Sequence, residues 1–172
     1  SGGPPTASLI GPVEGGAVVD YSVVNSVSNK FDDPRTDSND KFGFVDVQFS
    51  PNGSLSLDYE SVLDSENEFN LYFGENNVGL HSVPVPIDSV IDKDTGMPKA
   101  GSLVVKEGKV FRVFDDGSED EEVISSESEE YKDFEGEKLL IAAIRKTGAR
   151  TFRYLFNDNN EDFKRGEAKL KF

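Results

Sequence analysis

The sequence predicts an all-β fold, namely an antiparallel β-sandwich or jelly-roll-like domain of about eight to ten short strands with an acidic loop insertion. Three observations lead to this prediction. Apolar residues recur with a period of two in many short runs, β-branched and aromatic residues fill these runs, and Gly, Pro, Asn and Asp separate them. Sustained helical periodicity is missing between the runs, which argues against an α/β fold.

The predicted strands follow one another along the chain from residue 17 onward. The parity of one run slips at Gly43-Phe44, which predicts a β-bulge there. Another run contains Pro84 and Pro86, and it is predicted to be an edge strand because proline has no N–H to donate to a ladder. Alternating apolar positions place strands at Val19–Val24, Val45–Phe49, Leu55–Tyr59, Phe69–Phe73, Val83–Ile87 and Ala168–Phe172, with two more on either side of Glu107-Gly108.

Two loops are assigned as turns from their composition. Glu107-Gly108 lies between two apolar runs and predicts a two-residue hairpin turn. Asp92–Gly96 begins like the calcium-binding loop of an EF-hand, but Gly96 and Leu103 stand where that loop needs oxygen ligands from side chains. The segment is therefore predicted to be a simple turn between two strands.

Residues 137–148 allow two interpretations. They can form a helix, with basic residues in its last turn and Gly148 directly after its end. They can also form a buried strand that pairs, through a turn at Thr147-Gly148, with Thr151–Phe156. The sequence favours this hairpin, because the strand-like run Thr151–Phe156 needs a partner.

The chain is predicted to consist of an N-terminal arm, residues 1–16, and a single β-sandwich domain, residues 17–172. The arm contains five Gly and three Pro. Such a composition predicts an arm or linker that holds no regular element.

The negative charge of the chain is concentrated in one segment. The whole sequence has 33 Asp and Glu against 18 Lys and Arg, a net charge of −15, and residues 115–137 alone carry 12 acids and one base. This segment is predicted to be an inserted loop, because dense like charge resists compaction. Three roles stay open for it: a solvated loop, a site for a divalent cation or a cationic partner, or a phosphorylated tract that includes Ser118 and Ser126.

Composition and motifs exclude several chemistries. The chain has no Cys, which excludes disulfides, thiolate metal sites, iron–sulfur clusters and cysteine nucleophiles. Its one His, His81, is expected to be structural or exposed to solvent, since no serine lies in a G-x-S-x-G elbow and no phosphate-binding glycine loop occurs. The sequence thus predicts that the protein is not an enzyme, and a carboxylate-based hydrolase is the catalytic alternative.

The charge and the apolar pattern also bear on partners. A strongly negative protein lacks the cations that neutralise phosphates, so nucleic acid is not an expected partner. No apolar run approaches the ~18 residues of a transmembrane helix. The chain has no Trp, and this shortage weighs against a strong glycan binder.

Clustered carboxylates make calcium the candidate cofactor. The predicted function does not itself require a cofactor. The loop DDPRTDSND and the start of the acidic segment hold the candidate ligands. The same residue types are also good turn formers, because Asn and Asp bond to their own backbone. The candidate ligands are Asp32, Asp33, Asp37, Asp40, Asp115 and Asp116.

The expected function is that of a non-catalytic structural or assembly protein of an extracellular fibre, a cell surface or a virion. The N-terminal segment would exchange a strand with a neighbour, which is a further copy of the chain or another structural protein. The alternative is a calcium-assisted adhesion or carbohydrate-binding module of a secreted or surface protein, with a glycan as partner. Both functions imply an extracellular, cell-surface or virion location.

Overall fold

The computed structural model describes residues 6–8, 18–51, 57–64, 69–157 and 168–171. It is mostly β, with antiparallel sheets of eight and three strands and two helices, and this confirms the predicted all-β, sandwich-like class. Neither of the two described helices is long and apolar enough to cross a membrane.

The described residues form eleven strands and two α-helices, together with one turn of 3-10 helix at Glu129–Tyr131. The strands are β1 (Thr6–Ser8), β2 (Val18–Asp32), β3 (Lys41–Pro51), β4 (Asn70–Phe73), β5 (Asn76–Val78), β6 (Leu80–Ile91), β7 (Pro98–Lys106), β8 (Lys109–Phe114), β9 (Glu121–Ser125), β10 (Thr151–Phe156) and β11 (Ala168–Lys171). The helices are α1 (Tyr59–Val62) and α2 (Gly136–Thr147).

Contacts divide the chain into two compact units. The first unit comprises Ser1–Asp32, Asn39–Pro84 and Phe152–Phe172, and the second comprises Asp33–Ser38 and Val85–Thr151. Strand β6 crosses this boundary after Pro84. The single domain expected for residues 17–172 therefore stays a prediction.

The first unit holds the strand order β1-β2-β3-β10-β6 and a three-stranded sheet with the order β11-β4-β5. Aromatic side chains fill its core. Strand β4 alternates as predicted, since Leu71 and Phe73 are buried while Asn70 is exposed. The fully buried Phe side chains of this unit are Phe31, Phe49, Phe73, Phe152 and Phe156.

The predicted bulge is present, and it lies on β2 opposite Gly43. Between the paired positions Val27↔Phe44 and Phe31↔Phe42, β2 advances four residues while β3 advances two. A second irregularity follows Val23. Strand β3 itself has no extra residue there, and residues 42–47 are all buried, so its apolar run changes parity because both faces of this stretch are covered.

The prediction that β6 is an edge strand is wrong. In the strand order β6 has a neighbour on each side, β10 and β7, and Pro84 and Pro86 are both buried. The ladder between β6 and β7 runs from Ile87 to Ile91, beyond both prolines. Neither proline therefore has to donate a hydrogen bond to β7.

The second unit contains the end of β6, strands β7 to β9 and helix α2. Glu107 and Gly108 both have positive φ, 50° and 76°, as a type I′ hairpin turn between β7 and β8 requires, and this confirms the predicted turn. The predicted turn at Asp92–Gly96 is also present. Its Asp92 carboxylate accepts a hydrogen bond from the Asp94 N–H at 2.8 Å.

The preferred hairpin interpretation of residues 137–148 is wrong, because Gly136–Thr147 form the helix α2. Gly148 ends the helix in the left-handed conformation, with φ 76°, and its N–H donates to the Ile144 carbonyl. Helix α2 packs on β7 and β8. The predicted strand Thr151–Phe156 does exist as β10, but it finds its neighbours in β3 and β6 instead.

Two shorter predictions also need correction. The run Leu55–Tyr59 was expected to be a strand, but Tyr59 begins helix α1, whose N-terminus is capped when the Asp58 carboxylate accepts from the Ser61 N–H. Leu55 lies outside the described residues. The arm was expected to hold no regular element, yet Thr6–Ser8 form β1, because β2 supplies the hydrogen-bond partner that the arm lacks by itself.

Candidate functional site

Two sheet edges are the candidate functional surfaces. The first, called here the arm edge, consists of β1 and the adjoining outer side of β2. Strand β1 pairs antiparallel with Val18–Asp20, in the register Thr6↔Asp20 to Ser8↔Val18. Strand β2 has 15 residues, and in the part of the chain that the structure describes, no other strand lies on this side of it.

The chemistry of the arm edge favours association through the backbone. From Tyr21 to Asn29, β2 contains no charged residue, and its Val24 side chain is 51% exposed. Part of the edge is guarded, since the Ser26 N–H donates to the Asn25 side chain at 3.0 Å and bulges interrupt the strand. The regular stretch of β2 runs from Val19 to Val23 and begins where β1 pairs with it. This stretch is therefore the part best suited to take a strand from another chain.

The second surface, called here the acidic edge, is the outer side of β9, Glu121–Ser125. Strand β9 ends the eight-strand order and pairs with β8. The register passes from Val110↔Ile124 to Phe111↔Glu122, so that Val123 has no partner on β8. The Val123 carbonyl accepts a hydrogen bond from the Lys146 ammonium of α2, at 3.2 Å.

Lys and Arg side chains of β7 and β8 form ion pairs with acids on β9 or directly before it. Glu121 lies 3.6 Å from Arg112, and Glu122 lies 3.2 Å from Lys109. The hydrogen bond and charge of Glu122 raise the pKa of Lys109 above its ordinary value. A third pair joins Lys106 to Asp120 at 3.4 Å.

Residues 115–137 are therefore not a loop throughout, as the sequence predicted. Glu121–Ser125 form strand β9, and Glu129–Tyr131 form a turn of 3-10 helix whose Tyr131 ring lies 5.8 Å from that of Phe134. The cations of β7 and β8 offset part of the repulsion that argued against regular structure here.

Four of the predicted calcium ligands lie at the end of β2 or in the loop after it, and the structure gives Asp32 and Asp33 other partners. Asp33 is buried and forms a bidentate ion pair with Arg35, whose Nε and Nη2 lie 2.9 and 3.0 Å from its two carboxylate oxygens. Asp32 is exposed and pairs with Lys41. Asp37 and Asp40 are exposed.

The other two predicted ligands lie in the turn after β8. Asp116 accepts a hydrogen bond from the Ser118 N–H at 2.9 Å and lies 3.4 Å from the Lys99 ammonium. The Ser118 hydrogen bonds, and then Lys99, hold the pKa of Asp116 below its ordinary value. Asp115 is exposed.

Within the described ranges, no group of three or more His, Asp or Glu side chains is placed to hold a metal ion. The six aspartates are thus not brought together into a ligand set there. Calcium binding stays a prediction. His81, the one imidazole, is exposed and stacks on Phe42 at 4.8 Å, as expected for a structural, solvent-facing side chain.

Sequence reasoning missed a buried ion pair in the first unit. Arg153 of β10 donates to both carboxylate oxygens of Asp46 of β3, at 2.7 and 2.8 Å, and both side chains are buried. The guanidinium also lies over the rings of Phe31 and Phe44, at 4.7 and 3.9 Å from their centroids. The available signal was a lone Asp among the apolar residues 42–47 and a lone Arg between aromatic residues in 152–156.

Comparison of the chain with protein-family models, curated proteins and solved structures found no match.

Proposed function

We propose that the protein is a non-catalytic structural or assembly protein that joins copies of itself, or a neighbouring structural protein, by strand exchange at the arm edge. The extracellular fibre, cell surface or virion is the proposed setting. The observation that carries the proposal is the pairing of β1 with Val18–Asp20, because it places part of the arm on a sheet edge as an added strand.

Strand exchange needs a short strand whose pairing can be made equally well between chains. Strand β1 has only three residues, and nine residues separate it from β2 along the chain. This connection, LIGPVEGGA, contains three Gly, one Pro and one Ala, a composition typical of a linker. The same backbone bonds would form if β1 came from another copy, so the contacts of the closed monomer are kept in the assembly.

A cysteine pair tests the exchange directly, because the chain has no Cys of its own. Ala7 and Val19 are cross-strand partners, and the Cβ atoms of such partners lie about 4.5–5.5 Å apart. One preparation carries Ala7→Cys and a second, labelled by a different tag, carries Val19→Cys. After mixing and mild oxidation, we expect a disulfide-linked heterodimer on a non-reducing gel.

The matched control replaces the Val19→Cys chain by Asn77→Cys, an exposed position on β5 that does not pair with β1. A heterodimer with Val19→Cys but not with Asn77→Cys supports exchange. Equal yields with both chains, or no heterodimer while a chain carrying both substitutions closes its internal disulfide, would contradict it.

Deleting residues 1–8 tests whether exchange drives assembly. Light scattering over a range of concentrations should show oligomers for the full chain and a monomer for the deletion. Deletion of residues 1–5, which leaves β1 in place, is the control and should still assemble. A full chain that is a monomer at every concentration would contradict strand exchange between copies of this chain.

A further inference from the structure

We propose that the acidic edge binds an extended protein segment rich in Lys and Arg, which adds to β9 as a further antiparallel strand. This surface belongs to the second unit and is separate from the arm edge. Strand β9 is the last strand in its order, and the described residues place no strand on its outer side. An unpaired sheet edge offers a row of backbone donors and acceptors to another chain.

The hydrogen bond of Lys146 indicates which partner chemistry suits this edge. Val123 is the extra residue of the β8–β9 ladder, and its carbonyl accepts from the Lys146 ammonium rather than from β8. A cationic donor is thus already bound to the backbone of β9. Lys146 is exposed at the end of α2, so its side chain can move aside when a partner strand arrives.

Charge selects a basic segment over a second copy of β9. The side chains of Glu121 and Glu122 are exposed, and residues 115–137 carry 12 acids against one base. Pairing two copies of β9 would bring these acids face to face, which is unfavourable for like charges on neighbouring strands. A segment with Lys or Arg on both faces would place opposite charges next to the same carboxylates.

The ion pairs with β8 do not cancel this preference. Glu121 and Glu122 keep 55% and 47% of their side chains exposed while they contact Arg112 and Lys109. Each carboxylate has two oxygens and can accept from a second cation. The partner would therefore add to the existing charge network without removing it.

Binding of synthetic peptides to the full chain tests the proposal, with fluorescence anisotropy as the readout. The probe is the heptapeptide Lys-Lys-Val-Lys-Lys-Val-Lys, which carries Lys on both faces when extended, and two controls match its length. One replaces Lys by Glu, and the other keeps every side chain but carries N-methyl groups on all of its internal backbone amides, so that neither edge of the extended peptide can donate. We expect the basic peptide to bind and the Glu peptide not to bind.

The N-methylated peptide separates strand addition from attraction between surface charges. Loss of two or three backbone hydrogen bonds should weaken binding by about tenfold or more. Equal affinity for the methylated and unmethylated peptides would overturn the proposal, since the charge alone would then account for binding. Absence of binding by the basic peptide would overturn it as well.

Two variants locate the site. Glu121→Lys lies on β9, while Glu129→Lys makes the same charge change in the 3-10 turn. We expect Glu121→Lys to weaken binding by about tenfold and Glu129→Lys to weaken it less. Hydrogen exchange should slow at Glu121–Ser125 when the peptide is bound, and equal effects of the two variants with unchanged exchange would contradict the assignment.

Discussion

Gly101 allows Arg112 to cross β7 and reach Asp88. Gly101 pairs with Asp88 on one side, and the Arg112 Nη2 atom lies 2.7 Å from the Asp88 carboxylate. A Cβ at position 101 would lie within 3.0 Å of the Arg112 side chain. The absence of a side chain is therefore what makes room for the ion pair.

Gly101→Ala is expected to lower the free energy of unfolding by about 1–3 kcal/mol, because either the arginine or the strand must move. Chemical denaturation measures the loss. Gly79→Ala is the control, since no atom lies within 4 Å of its Cβ position and its φ is not in the left-handed region. A loss no larger than that of Gly79→Ala would contradict this role of Gly101.

The Asp46–Arg153 pair illustrates how a buried charge depends on its partner. Both side chains are less than a tenth exposed. Arg153→Leu leaves the Asp46 carboxylate buried without its guanidinium, and we expect a loss of about 3–5 kcal/mol in the free energy of unfolding. The variant Asp46→Leu/Arg153→Leu should lose less than Arg153→Leu alone.

The control for this cycle is Lys41→Ala, which removes the exposed partner of Asp32 and should change stability by about 1 kcal/mol or less. A double variant that is less stable than the single Arg153→Leu variant would contradict this expectation, because Asp46 would then stabilise the fold without its guanidinium partner.

At the scale of elements, the β7–β8 hairpin depends on its two turn residues. Glu107 adopts φ 50°, a conformation that costs a non-glycine residue roughly 1–2 kcal/mol, and that Asn tolerates better. Glu107→Asn should therefore raise the free energy of unfolding by up to about 1 kcal/mol.

Thermal unfolding checks this expectation, with Glu119→Asn as a control that removes the same charge outside the turn. An equal gain from both variants would assign the effect to charge. A gain confined to Glu107→Asn would assign it to the backbone.

The hairpin was predictable because its signal is local, whereas other elements were not. The turn at Glu107-Gly108 and the alternation of β4 are each determined by residues adjacent in sequence. The apolar residues Leu139, Ile141 and Ile144 fit either a buried strand or the buried face of a helix, so their pattern does not distinguish the hairpin from the helix. The helix was decided by packing on β7 and β8, which the sequence does not display.

At the scale of the whole molecule, the excess of acids opposes folding through self-repulsion. The net charge is −15, and most of it comes from residues 115–137. Added NaCl screens interactions between exposed charges beyond about 8 Å at physiological ionic strength. We therefore expect the Tm to rise with NaCl, and a gain of about 1 kcal/mol would correspond to about 2–4 °C.

A triple variant, Glu119→Gln, Asp133→Asn and Glu135→Gln, should have a higher Tm at low salt and a smaller response to NaCl. These three acids are exposed and their substitution leaves the β8–β9 ion pairs in place. A Tm that falls with NaCl in the parent chain would show that attraction within the ion pairs outweighs the repulsion.

The candidate sites, like the fold, were only partly predictable from the sequence. The sequence indicated an arm and an acidic segment. It did not reveal that Thr6–Ser8 pair with β2 or that Glu121–Ser125 form an edge strand, because both depend on partners elsewhere in the chain.

The sequence by itself determined the all-β class, most strands of the first and second units, the hairpin turn and the location of the charge. These features follow from period-two alternation, turn residues and composition, all of which act over a few residues. Only the tertiary structure decided that β6 has two neighbours, that 136–147 is a helix, and that Asp46 meets Arg153 across 107 positions of the chain. The reason is physical: hydrogen-bond partners and burial come from segments distant in sequence, and a local pattern limits those partners without choosing among them.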